Sequence, residues 1–233
     1  VVAFGNDATL SRIARDLPHA TRFIGHGSKA SAGYITDESI DDEATAHAFA
    51  ARVARDVVLY DTEGCLSLRV LFVEPNERIP PVKFSKFVAE AIAAMTHEFP
   101  AARDAPEARA RQALARETAT FALAPQMVHS DSDASFLVVN VTSDQRPPPF
   151  AGRSIAVCEV STPAQAVHYL NYYGIALEGL AVAGRRPDVL EAALQLGVSR
   201  ITELGTLQRP PLGYFHGGRP RIAEFVRWIT DEA

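Results

Sequence analysis

The sequence predicts an α/β fold with a mostly parallel β-sheet and helices on both faces of the sheet. Short apolar runs typical of buried strands alternate with longer segments whose apolar residues recur at helical spacing. Strands interleaved with helices of this length favour parallel pairing, because each helix serves as a crossover. With 233 residues, 47% of them hydrophobic, the chain is long enough to bury a large core.

The chain begins with a predicted β-α-β unit. Val1–Phe4 has the pattern of a strand, and Asp7–Leu17 has that of a helix with Asn6 or Asp7 at its start. Thr21–Ile24 has the pattern of a second strand. The cluster Gly25-His26-Gly27-Ser28 follows and predicts a tight turn.

The next predicted elements lead to a cysteine. Ala30–Ile35 is expected to be extended, and Asp41-Asp42 offers an N-cap and negative charge for a helix that runs to about residue 60. A polar turn over Asp61–Gly64 then precedes Leu66–Glu74, an apolar run with the pattern of a buried strand. Cys65 therefore lies where a loop enters a strand.

The remainder of the chain alternates in the same way. The connector Arg146-Pro147-Pro148-Pro149 predicts a rigid loop that crosses a sheet edge. The other predicted elements are a helix opened by Pro80-Pro81, a helix over 106–119, strands over 136–141, 154–160, 179–183 and 200–202, and helices over 164–172 and 187–196.

The composition argues against several classes of partner. The formal net charge of -5 and the pI near 5.8 leave no broad basic surface for a nucleic acid. No apolar run approaches the roughly 20 residues that span a bilayer, and the start lacks a signal-peptide pattern. Two cysteines, Cys65 and Cys158, make no disulfide framework, so a reducing cytoplasm is the predicted compartment.

Residue types alone leave the role of Cys65 open, because a free cysteine is most often a small buried hydrophobe. Cys158 alternates like a strand residue within Ile155–Val160, which indicates core packing. The histidines are scattered without metal-ligand spacing, so no metal site is predicted. The five histidines to which no role is assigned are His47, His97, His129, His168 and His216.

Three segments of the chain together resemble one family. They are the run Tyr60-Asp61-Thr62-Glu63-Gly64-Cys65-Leu66-Ser67 with Leu71-Phe72-Val73-Glu74 behind it, the pair Val2–Asp7 and Phe23–Ser31, and Phe215–Arg221 with Trp228. The first resembles the nucleophile segment of LuxC-type long-chain fatty acyl-CoA reductases, a branch of the aldehyde dehydrogenase superfamily. The second resembles the last β-α-β unit of that family's nucleotide-binding domain, and the third its closing segment.

The resemblance implies an aldehyde dehydrogenase-like catalytic domain together with the tail end of a Rossmann-like cofactor domain. It assigns residues 1–35 to the nucleotide-binding domain, 36–212 to the catalytic cysteine domain and 213–233 to a closing segment. The chain opens inside a strand and without an initiator methionine. We therefore expect a C-terminal fragment, with most of the cofactor domain upstream of Val1.

The resemblance also implies a reaction. The Cys65 thiolate attacks a long-chain acyl-CoA, CoA leaves, and hydride from NADPH or NADH converts the acyl-cysteine thioester to a fatty aldehyde. The backbone N–H groups at Gly64 and Cys65 are expected to stabilise the oxyanion. Gly25, Gly27 and Ser28 are candidates for cofactor contact, with an ordinary tight turn as the alternative.

The group that activates Cys65 is not fixed by the sequence. His26 is the first candidate and His19 the second, and a structural role is the alternative for each. Hydrolytic aldehyde dehydrogenases carry a water-activating glutamate in a Glu-Leu-Gly-Gly-Lys-like stretch, and no such stretch lies between Ser28 and Asp41. This absence is expected of a reductase, whose acyl-enzyme must be kept from water.

Two alternatives to a long-chain acyl-CoA reductase stay open. The substrate can instead be a short acyl-CoA or an acyl phosphate on the same fold, or the chain can be a non-catalytic fragment that acts as a binding or assembly module. The resemblance further implies a homo-oligomer, an acyl-protein thioester as a second form of substrate, and an acyl-transferring synthetase as a partner.

Overall fold

The computed structural model describes residues 1–101, 106–147, 149 and 151–232, and it opens with a small parallel sheet. Strand β1 (Val2–Phe4) pairs with β2 (Ile24–His26), and α1 (Asp7–Asp16) connects them. The Asn6 side chain caps α1 by accepting a hydrogen bond from the Thr9 N–H at 2.8 Å. The predicted β-α-β unit is confirmed.

The second strand of this unit begins later than predicted. It spans Ile24–His26 rather than Thr21–Ile24, so Gly25 and His26 lie in a strand and not in a turn. The Thr21 N–H donates to the Pro18 carbonyl at 2.8 Å, and this local turn takes the place of strand pairing at residues 21–23.

A seven-stranded sheet forms the body of the molecule. Its strands are β3 (Ala30–Ile35), β4 (Leu68–Val73), β5 (Val128–Ser130), β6 (Leu137–Thr142), β7 (Ser154–Glu159), β8 (Leu177–Ala183) and β9 (Arg200–Glu203). Their order is β5-β6-β7-β4-β3-β8-β9, and every neighbouring pair is parallel except β5–β6. The short edge strand β5 was not predicted, because its three half-buried residues are too few to show alternation.

Strand β3 lies in the middle of the large sheet. Tyr34 of β3 is placed between Phe72 of β4 and Val182 of β8. The small and large sheets therefore divide between His26 and Ala30. The apolar run Ala30–Ile35 is buried at every position, as a central strand of a covered sheet requires.

Helices cover both faces of the large sheet, as predicted. They are α2 (Glu43–Val58) and α3 (Pro81–Glu98) on one face, and α4 (Pro106–Ala122), α5 (Pro163–Tyr172) and α6 (Pro187–Gln195) on the other. Asp42 caps α2 by accepting from the Thr45 N–H at 2.7 Å. On the first face Val53 and Phe84 pack with Leu71, and on the second Tyr169 meets the Phe72 ring edge-on.

The chain after β9 returns to the small sheet. Two short 3₁₀ helices, His216–Gly218 and Ala223–Phe225, lie in this segment, and the Arg22 guanidinium donates to the Glu224 carbonyl at 2.6 Å. Within the described residues, no helix combines the length and apolarity that a membrane crossing needs. Pro148 of the predicted connector and Ala233 of the predicted closing segment lie outside the described residues.

Candidate active site

Cys65 is positioned by an irregular loop. Tyr60, Asp61 and Thr62 all have positive φ (64°, 50° and 57°), a conformation that costs free energy in residues other than glycine and is held by the surroundings. The Arg69 Nη2 donates to the Thr62 carbonyl at 2.5 Å, and the Arg153 Nε donates to Asp61 Oδ1 at 2.6 Å. These two contacts fix the loop that leads through Gly64 to Cys65.

The backbone at Cys65 is tied to the centre of the sheet. The Ser31 hydroxyl on β3 donates to the Cys65 carbonyl at 2.9 Å. A turn follows in which the Ser67 N–H donates to the Gly64 carbonyl at 3.0 Å. The half-buried thiol therefore lies in a turn three residues ahead of β4, in the loop that leads into this strand.

His216 is the histidine that reaches the thiol. Its Nε2 lies 3.6 Å from Cys65 Sγ, within hydrogen-bonding range for sulfur. The His26 ring stacks on the His216 ring with centroids 4.6 Å apart and planes 5° apart, and Phe4 also stacks on His26 at 4.6 Å and lies 6.5 Å from the His216 ring. His26 therefore supports the ring of His216. Burial, followed by the nearby His216, lowers the pKa of His26.

A buried carboxylate lies beside Cys65 and His216 in the same cleft. Glu178, at the start of β8, accepts from Lys29 Nζ at 3.0 Å, from the Gly217 N–H at 2.8 Å and from the Tyr214 hydroxyl at 3.3 Å. Its side chain is 1% exposed. Burial alone raises the pKa of Glu178, but the hydrogen bonds from Gly217 and Lys29 and the charge of Lys29 outweigh burial, so the net pKa is lowered.

The environment disfavours the free thiolate. Burial first, and the Glu178 charge second, raise the pKa of Cys65 above its ordinary value of 9.0. The backbone N–H groups of Cys65 and Leu66 and the Lys29 charge act in the opposite direction and only partly offset this. Cys65 therefore rests as a thiol, and an attack by its sulfur needs a base that takes the proton.

The structure brings together some of the predicted site residues and separates others. A cleft of about 130 Å³ is lined by Cys65 and His216 together with Gly25, His26 and Gly27. Ser28 is exposed and lies outside the lining of this cleft, and so does the exposed His19. Cys158 is buried in β7, where burial raises its pKa to about 12, in agreement with a packing role.

Three residues of the cleft were missed by the sequence analysis: His216, Glu178 and Lys29. The signal for Glu178 was present, since it is the one charged residue of β8, and an isolated acid in an apolar strand indicates a paired or functional group. His216 stands before Gly217-Gly218, in a segment already recognised by its resemblance, but 151 positions separate it from Cys65. Among the described residues, no cluster of three potential metal ligands occurs.

A family model described as acyl-CoA reductase (LuxC) matches residues 1–228. The chain belongs to the LuxC acyl-CoA reductase family. The predicted family is thereby confirmed, and it is a family of oxidoreductases. A search of curated protein sequences gave no significant match.

Several solved structures share the fold of this chain. An oxidoreductase from Marinobacter aquaeolei superposes with a TM-score of 0.68 at 14% identity, over 92% of this chain and 46% of that one. An NAD-dependent benzaldehyde dehydrogenase from Corynebacterium glutamicum gives 0.64 at 18% identity, over 87% and 46%. An NAD-dependent aldehyde dehydrogenase from Burkholderia multivorans gives 0.63 at 17%, over 88% and 40%.

These likenesses establish an aldehyde dehydrogenase-like fold and confirm the predicted fold class. The chain spans less than half the length of each of the three structures. The assignment of residues 1–35, 36–212 and 213–233 to separate units stays a prediction.

Proposed function

We propose that this chain carries the acyl-accepting site of a nicotinamide-dependent acyl-CoA reductase, with Cys65 as the nucleophile and His216 as its base. The observation that carries the proposal is the contact of 3.6 Å between Cys65 Sγ and His216 Nε2 in a cleft beside a buried charge. A thiol next to an imidazole is the arrangement that lets a cysteine act as a nucleophile at neutral pH.

His216 can carry the one proton that moves during the acylation of Cys65. His216 Nε2 takes the proton from Sγ as the sulfur attacks the thioester carbonyl, and the resulting oxyanion faces the backbone N–H groups at Gly64, Cys65 and Leu66. When the C–S bond to CoA breaks, the protonated His216 returns the proton to the departing CoA thiolate. The products are the acyl-Cys65 thioester and free CoA, and no net proton is taken up or released.

Gly25 and Gly27 line the cleft without side chains of their own. A Cβ at Gly25 would come within 2.9 Å of the Phe23 ring, and one at Gly27 within 2.5 Å of Asp7 Oδ1, so a side chain at either position would displace a neighbouring side chain. These glycines and His26 would hold the nicotinamide end of NADPH or NADH, which supplies the hydride that converts the acyl thioester to aldehyde. Ser28 lies outside the lining and is not included.

Glu178 is interpreted as a fixed charge and not as a base. Three donors already occupy its oxygens, and its lowered pKa makes it a weak acceptor for the proton of a water molecule. The carboxylate favours a protonated His216 during attack, since opposite charges nearby stabilise each other. An acyl-Cys65 thioester in this setting is kept from hydrolysis, which a reductase requires.

The long acyl chain and its donor are inferred from the family. The cleft of about 130 Å³ is too small for a long acyl chain, so such a chain would extend beyond it. A short acyl-CoA or an acyl phosphate would acylate Cys65 by the same chemistry. A homo-oligomer, a cytoplasmic location, an acyl-protein thioester as substrate and a synthetase partner likewise stay predictions.

Intact-protein mass spectrometry after incubation with palmitoyl-CoA, butyryl-CoA or acetyl phosphate tests the acylation step. We expect one hydroxylamine-sensitive adduct of the acyl mass on the wild type, absent from Cys65→Ala and retained by Cys158→Ala, the matched thiol control. The donor that acylates fastest identifies the substrate class. Absence of an adduct with every donor would contradict the assignment of Cys65 and favour a binding or assembly module.

A further inference from the structure

A second cavity lies behind the loop that leads to Cys65 and plays no part in the chemistry described so far. It measures about 470 Å³ and is bounded by residues 60–63, by α4 and by residues 151–153. Among the residues that the structure describes, four arginines line it against two acids, Asp61 and Glu63; the arginines are Arg69, Arg109, Arg111 and Arg153. This cavity is called the arginine pocket below.

Within the described part of the chain, two buried donors in the arginine pocket lack a hydrogen-bond acceptor. Arg153 is 3% exposed; its Nε is paired with Asp61 at 2.6 Å, whereas its Nη1 has no partner. Gln112 on α4 is 8% exposed, and its Nε2 also has no partner. Buried donors without acceptors are rare because each costs free energy, and such donors are expected where a ligand supplies the acceptors.

The packing holds these donors in place. Gly152 has a φ of +55°, and a Cβ there would come within 2.9 Å of Gln112 Cδ, so the Gln112 amide packs directly against the backbone. The Asp61 carboxylate fixes the Arg153 guanidinium from one side. Arg109 and Arg111 are exposed on the same helix as Gln112, at the solvent side of the pocket.

The required ligand is an anion with several acceptor oxygens. A guanidinium and an amide that both offer N–H groups match a phosphate, which accepts two parallel hydrogen bonds from arginine. The exposed arginines add positive potential that draws an anion in. A volume of about 470 Å³ exceeds that of a single phosphate and fits part of a nucleotide.

We propose that the arginine pocket binds the phosphate or pyrophosphate group of a nucleotide. The choice of nucleotide rests on the proposed function, which brings two sources to this site: the CoA portion of the thioester and the nicotinamide dinucleotide. Since the wall formed by residues 60–63 continues through Gly64 into Cys65, a bound nucleotide contacts the loop that positions the nucleophile.

Calorimetric titration of the wild type with pyrophosphate, CoA and NADP⁺ tests the inference. Gln112→Met removes both polar atoms of the side-chain amide at nearly constant volume. We expect it to raise the Kd of at least one nucleotide by about tenfold or more. Arg12→Gln removes one positive charge from an exposed position on α1, as Arg109→Gln does at the pocket, and serves as the control. We expect its Kd to stay within about twofold of the wild type. Arg109→Gln, at the exposed rim, provides a second variant that leaves the buried packing intact, with an expected loss of about threefold.

The outcomes separate the two sources. A loss for CoA alone assigns the pocket to the thioester, and a loss for NADP⁺ alone assigns it to the dinucleotide. The inference is overturned if none of the three probes binds the wild type, or if Gln112→Met and Arg12→Gln bind them equally. Acylation of wild-type Cys65 by S-acyl pantetheine, which carries no phosphate, tests the proposed function separately, so its failure beside intact nucleotide binding contradicts that proposal alone.

Discussion

The His216→Gln substitution tests the proposed nucleophile–base pair most directly. Burial and the Glu178 charge raise the pKa of Cys65 above 9.0, so fewer than about one thiol in a hundred is ionised at pH 7. Without the imidazole 3.6 Å away, only this small fraction can attack. We therefore expect the acylation rate at pH 7 to fall by about 100-fold, within the range observed when a general base is removed.

The deficit has a defined pH dependence. The thiolate forms without assistance as the pH approaches the raised pKa of Cys65, so the rate of the variant should increase by about tenfold per pH unit and the gap to the wild type should close above about pH 9. Single-turnover acylation followed by mass spectrometry between pH 6 and pH 10 measures this. His19→Gln, an exposed histidine outside the cleft, is the matched control with an unchanged profile. A variant with the wild-type rate at pH 7, or with the same deficit at pH 7 and pH 10, refutes the reasoning.

Two further predictions concern charge. Glu178→Gln removes a cause of the raised pKa of Cys65, so alkylation by iodoacetamide at pH 7 should accelerate by about two- to tenfold, whereas Lys29→Gln should slow it; changes of the same sign in both variants would contradict the electrostatic account. Burial, partly offset by hydrogen bonds from the Gly205 and Leu207 N–H groups, raises the pKa of Asp56 from 3.8 to about 7. Because the folded state holds this proton more tightly, its stabilising effect is complete below pH 3.8 and is lost by about pH 7, a change of about 4 kcal/mol. Urea unfolding of Asp56→Asn should show a flatter dependence on pH between 4 and 7, and an unchanged slope would count against the assignment.

The parts of the fold that local chemistry determines could be predicted from the sequence. Asn6 and Asp42 each accept the backbone N–H three residues on, which is why both helices begin where the capping pattern placed them. The apolar run around Leu71 forms a buried strand, and Cys65 lies directly ahead of it. Each of these features depends on residues within one turn or one strand of each other.

The partners of Cys65 could not be predicted in the same way. His216 and Glu178 meet the thiol because β8 lies beside β3 in the sheet and the chain after β9 folds back across the strand ends. No local pattern encodes such a contact between distant positions. His26 was the first candidate because it stands in the predicted turn Gly25–Ser28. The structure stacks its ring on that of His216, and His216 is the histidine that contacts the thiol.

The identity of the base follows from the way the carboxylate beside Cys65 is held. An unpaired glutamate at this place would compete with His216 for the thiol proton and would activate water against an acyl intermediate. Gly217 and Lys29 oppose both, because their hydrogen bonds and the charge of Lys29 outweigh the effect of burial and lower the pKa of Glu178. In the proposed reaction Glu178 thus contributes its charge without taking up a proton, and His216 is the group expected to accept the proton from Cys65.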